Sequence, residues 1–226
     1  PTEVAVSRSA SARKSSEVGA SRISGGWIGN VRIPPAFVRY ADIVTRRALD
    51  STAYPALASA LHGYQGAALL YEALQLVPRD QFVEARAKAR VLEDTPLPTG
   101  FGQSMAHPFV IARMIAVARV LPGMRILELE PGAGYASALL CAMGAQVFGV
   151  ESIGLRAQST RRLLDQLGFH RVLVATDLGA WIAERVGPFH AAISHKPLDE
   201  EQRPRVLKLL SHGARLVECG AEGAAL

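Results

Sequence analysis

The sequence predicts a doubly wound α/β domain built on a parallel sheet. Three observations carry this reading. After Gly123, short apolar runs alternate with stretches of helical periodicity. The first of these runs meets the first helix through a glycine turn, Gly132-Ala133-Gly134. Finally, 49% of the residues are hydrophobic against 20% charged, enough to cover both faces of a sheet with helices. Right-handed crossovers between parallel strands then fix the winding.

Taken in chain order, residues 1–26 hold seven serines, four basic residues and two acids. Such a segment buries too little apolar surface to offset its ordering entropy, so it reads as a basic tail. Its Arg/Ser/Ala bias is similar to that of an organelle-targeting remnant. Residues 27–122 form an N-terminal helical segment. Within it Pro34-Pro35 punctuates, and Ala41 to Ala53 suits a short helix with Ile43, Val44 and Leu49 inward. Ala67 to Val77 repeats apolar residues at helical spacing and stops at Pro78. Thr95 to Gly102 reads as loop, since two prolines and two glycines in eight residues suit no regular element. Pro108 opens a further helix that runs to Val120, before Pro122-Gly123.

Residues 123–226 form the α/β core. Strands are expected at Arg125–Glu130, Ala145–Glu151, Arg171–Asp177, Phe189–His195 and Ala214–Gly220. Helices are expected at Tyr135–Met143, Leu155–Leu167, Ala180–Val186 and Glu200–Leu210.

Composition excludes several classes of function. Two cysteines in 226 residues give neither a disulfide framework nor a metal-ligand spacing, and the six histidines do not cluster. No metal site is expected. Apolar runs are broken well short of about 20 residues, so no membrane insertion is expected either. The net charge of +5 permits contact with RNA or an acidic surface without requiring it. Arg156, Arg161 and Arg162, with Arg171 nearby, read as a basic, solvated helix face, with contact to RNA or an acidic partner as the alternative.

Chemistry is concentrated where the first strand ends. There Glu128 is followed by Gly132, Gly134 and Tyr135, and glycines at a strand-to-helix turn let a ligand approach the backbone closely. Glu151, at the end of the second strand, is placed to accept ribose hydroxyls, and Asp177, at the end of the third, to meet an adenine amino group. Two ligand classes suit this arrangement. A dinucleotide site wants a third glycine where Ser137 stands, whereas S-adenosylmethionine carries no pyrophosphate and tolerates the serine.

The sequence resembles the protein-L-isoaspartate O-methyltransferase family, a group of class I methyltransferases. The resemblance runs from about Ala67 to Gly220. It is carried by Tyr71 to Val83 with its Val77-Pro78-Arg79 ending, by Glu93-Asp94 through Gly102-Gln103-Ser104, by Leu127-Glu128 with the glycine turn, and by Glu151, Asp177 and Pro188-Phe189 in order. It implies a class I methyltransferase sheet in the strand order 3-2-1-4-5, with the usual strands six and seven missing or outside the sequence given. It further implies S-adenosylmethionine as methyl donor, held by Glu128, Gly132, Gly134, Tyr135, Glu151 and Asp177. The acceptor implied is a carboxylate on a protein or peptide, bordered by Gly100, Phe101, Gly102 and His107. Gln103 and Ser104 would be the catalytic pair, acting by alignment and desolvation, since a carboxylate is already a nucleophile.

Six positions depart from the family pattern. Ala106 replaces a serine, Glu130 stands at the first glycine of the donor turn, His190 replaces an aspartate, and His195-Lys196-Pro197 replaces small residues. His195-Lys196 at its strand end could face the cleft, with a solvated loop the simpler reading. Glu130 also brings a negative charge towards the donor's own carboxylate. These departures support a second reading: an inactive methyltransferase-fold subunit of a larger mitochondrial or ribonucleoprotein assembly, with protein or RNA partners holding the tail. The cytoplasm is the expected location on the enzyme reading, and the mitochondrial matrix on the other.

Overall fold

The computed structural model describes residues 27–28, 31–32, 61–170, 172–176 and 186–220. The basic tail, the helix expected over 41–53, all but the last residue of the helix expected over 180–186, Arg171 and Asp177 lie outside the described residues.

Two short strands, β1 (Trp27–Ile28) and β2 (Val31–Arg32), pair antiparallel. Helix α1 (Ala67–Leu76) ends before Pro78, as its spacing predicts, and buries Leu70, Ala73 and Leu76. Two 3-10 turns follow, Arg79–Phe82 and Ala85–Arg90. Arg79 is buried and donates to the carbonyls of Val91, Glu93 and Thr95 at 3.0, 2.8 and 2.6 Å. It thereby ties down the irregular chain that leads into the next element.

That element corrects the reading of Thr95 to Gly102 as loop. β3 (Leu97–Gly100) and β4 (Gln103–Met105) form an antiparallel hairpin with Leu97 opposite Met105 and Pro98 opposite Ser104. Proline is tolerated because these are edge strands, where a missing N–H forfeits no ladder bond. The turn is made by Gly100, Phe101 and Gly102, all at positive φ. Helix α2 (Pro108–Val117) then opens on its proline.

The parallel sheet follows. Its strands are β5 (Arg125–Leu129), β6 (Gln146–Val150), β7 (Val172–Ala175), β8 (Phe189–Ser194) and β9 (Leu210–Glu218), in the order β7-β6-β5-β8-β9. All four pairings are parallel, so the expected order 3-2-1-4-5 is the observed one. The connecting helices are α3 (Tyr135–Ala142), α4 (Gly154–Gln166) and α5 (Gln202–Lys208). β9 begins four residues before the expected Ala214. The helix before it stops at Lys208, because Leu209 accepts a hydrogen bond from the Phe189 N–H and joins the core.

β5 shows how the sheet is covered on both faces. Ile126 points into a large core with Leu70, Met114, Ile115, Leu139 and Leu140, whereas Leu127 and Leu129 point into a smaller one with Phe148, Phe189 and Val206. All eight residues of α3 are buried. A helix enclosed that fully is fixed in place, and so is the glycine turn at its N-terminus.

Candidate functional site

Parallel strands share one direction, so β5, β6, β7 and β8 deliver their carboxyl ends to one edge of the sheet. Beyond Leu129 the chain turns sharply through Glu130, Gly132 and Gly134, with φ of 56°, 60° and 89°. The two glycines are needed for different reasons. A Cβ on Gly132 would meet nothing within 4 Å, so this backbone lies open to the edge. A Cβ on Gly134 would stand 2.7 Å from Thr160 Cγ2 and 3.1 Å from Leu164 Cδ1, so here the turn packs directly on α4. Gly134→Ala is therefore expected to cost about 1–3 kcal/mol, from overpacking added to the left-handed backbone. Urea denaturation of the variant measures it.

Four charged side chains converge beside this turn. Glu151, fully buried, accepts from the Gly132 N–H at 3.2 Å, the Ile153 N–H at 3.0 Å and Arg156 at 2.6 Å. Arg156 also donates to Glu130 at 3.0 Å. It is 3% exposed, which corrects its assignment to a solvated basic face; of the described arginines in that group only Arg161 and Arg162 are exposed. Glu130 further accepts from the Ser152 N–H and from Lys196, each at 3.3 Å. Burial alone would raise the Glu130 carboxyl, but the Ser152 N–H and the Lys196 ammonium outweigh it and hold the group below the usual glutamate range. The stabilisation this gives is present at neutral pH and is lost as pH falls through that lowered value.

A second buried carboxylate lies one strand turn back. Glu128 is 0% exposed and accepts from Ser137 Oγ on α3, while its other oxygen lies 2.8 Å from His195 Nε2 at the end of β8. β5 and β8 are hydrogen-bonded neighbours, and the His195 N–H itself donates to Leu129 O at 3.1 Å.

Two clefts flank Glu130 and Lys196, which border both. One, of about 370 Å³, lies over the strand ends between Leu129, Val150, Thr176, Ser194 and Leu198. The other, of about 100 Å³, lies beneath the hairpin between Gln103, Ser104, Gly132, Tyr135, Arg156 and His195. The structure thus brings Gln103 and Ser104 to the same cleft as Gly132 and Tyr135. Phe101, half exposed at the hairpin tip, lines a separate hollow with Phe82 and Leu163, and Gly100 and Gly102 flank it in the turn. His107 immediately precedes α2 and borders neither cleft. The reading from sequence took Arg156 for a surface base and preferred a solvated loop for His195-Lys196 over a place facing the cleft; the structure puts all three at this edge.

Comparison with known proteins gives a consistent picture. The family model for protein-L-isoaspartate(D-aspartate) O-methyltransferase matches residues 58–218. A protein-L-isoaspartate O-methyltransferase of Gloeobacter violaceus is 33% identical over 150 residues, covering 66% of this chain and 73% of that one. That of Methylorubrum populi is 37% identical over 157 residues, covering 69% and 72%. Among solved structures, a protein-L-isoaspartate O-methyltransferase aligns with a TM-score of 0.62 at 20% identity, over 75% of this chain. The alignment spans only 55% of that solved chain. A Plasmodium falciparum protein of the same description, solved in complex with S-adenosyl-L-homocysteine, aligns with a TM-score of 0.56 at 15% identity, over 80% of this chain and 83% of its own. At these identities the two structures speak to fold alone.

Proposed function

Because the chain belongs to the protein-L-isoaspartate O-methyltransferase family, we propose that it binds S-adenosylmethionine at the carboxyl edge of its sheet and methylates a carboxylate of a protein or peptide, the isoaspartyl side chain being the favoured acceptor. The observation that carries this is the meeting of Gly132 and its open backbone with Gln103 and Ser104 of the hairpin in one cleft, next to a larger cleft over the strand ends.

The residues present fit the donor. Gly132 offers a backbone that no side chain shields, and the larger cleft has apolar walls in Leu129, Val150 and Leu198 against which a nucleoside base can pack. Gly132, Gly134 and Tyr135 would shape the donor's seat, with Asp177 expected at the adenine end. Glu128 and Glu151 would hold the turn that forms that seat, through Ser137 and through the Gly132 N–H. For Glu151 this replaces the ribose contact expected from sequence, since it is fully buried and its oxygens already accept from Gly132, Ile153 and Arg156. When bound, S-adenosylmethionine supplies a methyl group made electrophilic by its sulfonium sulfur. Gln103 and Ser104 would orient the acceptor carboxylate and, with the hairpin above them, exclude water from it.

The test is methyl transfer by the full chain to a synthetic isoaspartyl peptide with radiolabelled donor. The expected product is a methyl ester, which releases labelled methanol in mild alkali. Donor binding without any transfer to this peptide would refute the acceptor assignment.

A second reading, as a non-catalytic subunit of a larger assembly, is favoured by one observation: Glu130 and Lys196 join across the edge and separate the two clefts. Among the described residues no helix is long and apolar enough to cross a membrane.

A further inference from the structure

Carboxylate methylation needs no base, yet the cleft beneath the hairpin is bordered by an imidazole with a buried carboxylate behind it. His195 lines the cleft with Gln103, Ser104 and Gly132, its side chain 18% exposed. Its Nε2 lies 2.8 Å from Glu128 Oε1, and Glu128 is itself 0% exposed and held from the other side by Ser137 Oγ. An ionised carboxylate only accepts hydrogen bonds, so the ring proton belongs on Nε2. Nδ1 is left as the basic nitrogen, and it makes no hydrogen bond among the described residues. A nucleophile's base, oriented from behind by a third group, has this construction in catalytic triads on unrelated folds.

We infer that His195 is a general base and that the site accepts methyl groups on atoms that enter carrying a proton, a phenolic hydroxyl or an imidazole ring nitrogen, in addition to carboxylates. The inference rests on the donor-binding reading above. In the step, His195 Nδ1 takes the proton from the acceptor atom as that atom's lone pair forms its bond to the methyl carbon. The carbon–sulfur electron pair stays on the donor sulfur, which leaves as a neutral thioether, and the imidazolium returns its proton to solvent. Glu128 is a positioning residue: it fixes the tautomer and ring orientation and stabilises the imidazolium, without touching the acceptor.

Short matched peptides carrying isoaspartate, tyrosine or histidine, offered to the full chain with labelled donor, provide the test. The expected result is alkali-stable label on the tyrosine or histidine peptide, reduced about 10²–10⁴-fold in His195→Gln. A readout independent of turnover is nitrogen-15 spectroscopy of the donor-free wild type. It should place the ring proton on Nε2, with a downfield resonance protected from exchange that disappears in Glu128→Ala. Three outcomes would overturn the inference. Alkali-labile label on the isoaspartyl peptide alone would do so while leaving the donor-binding reading intact. A ring proton on Nδ1 would do so whatever the variants show. Absence of any calorimetric heat with the donor would overturn both together.

Discussion

Arg156→Met is expected to cost about 3–5 kcal/mol of folding stability, the range for removing one partner from a buried ion pair. Glu151 has no solvent exposure, and Arg156 is the cation it faces at 2.6 Å. Without the guanidinium, Glu151 and Glu130 would be two carboxylates facing one another beside the glycine turn. Guanidinium denaturation reads the loss directly. Arg156→Met combined with Glu151→Leu should recover much of it, since an apolar pair carries no buried charge. Equal stability of the wild type and the single variant would show that water reaches the pair and that it does not hold the edge.

Glu130→Gly is expected to tighten donor binding about tenfold. Two carboxylates about 5 Å apart repel by about 3 kcal/mol at an effective dielectric of about 20, and partial exposure of Glu130 reduces this. The variant should fold. Its backbone is already left-handed at φ 56°, where glycine is at ease, and the partly exposed pair with Lys196 contributes only about 0–1 kcal/mol; Arg156 loses its 3.0 Å bond to Glu130 but keeps its counter-ion Glu151 at 2.6 Å. The loss of Glu130 also frees Lys196 to meet the donor's carboxylate. Calorimetric titration of both proteins decides it. Unchanged affinity would mean that the side chain already swings clear on binding.

The sheet was legible because its signals are local. Apolar runs of strand length between helix-periodic stretches, with a glycine turn at the first crossover, fix the winding and bring the strand ends to one edge. The hairpin Leu97–Met105 was not legible, because Pro98 and Gly100 read as breakers unless the strand is known to lie at an edge. Arg156 was misread for a related reason. On its own helix it sits among Arg161 and Arg162 as one more surface base, and the carboxylates that bury it belong to two other connections, 5 and 26 residues away. His195 and Glu128 are 67 residues apart and meet only across neighbouring strands. The strand order that the family resemblance implies already places those two strands side by side, so this pair was within reach of the sequence. The signal was a histidine and a glutamate ending adjacent parallel strands.

The central claim, that the carboxyl edge around Gly132 is a methyl-donor site, is tested most directly by calorimetric titration of the full chain with S-adenosylmethionine, alongside Gly132→Val. The account predicts saturable one-to-one binding to the wild type. It predicts much weaker binding to the variant, whose β-branched side chain would fill the open backbone at φ 60°. No heat with the wild type at millimolar donor, or equal binding by Gly132→Val, would contradict it.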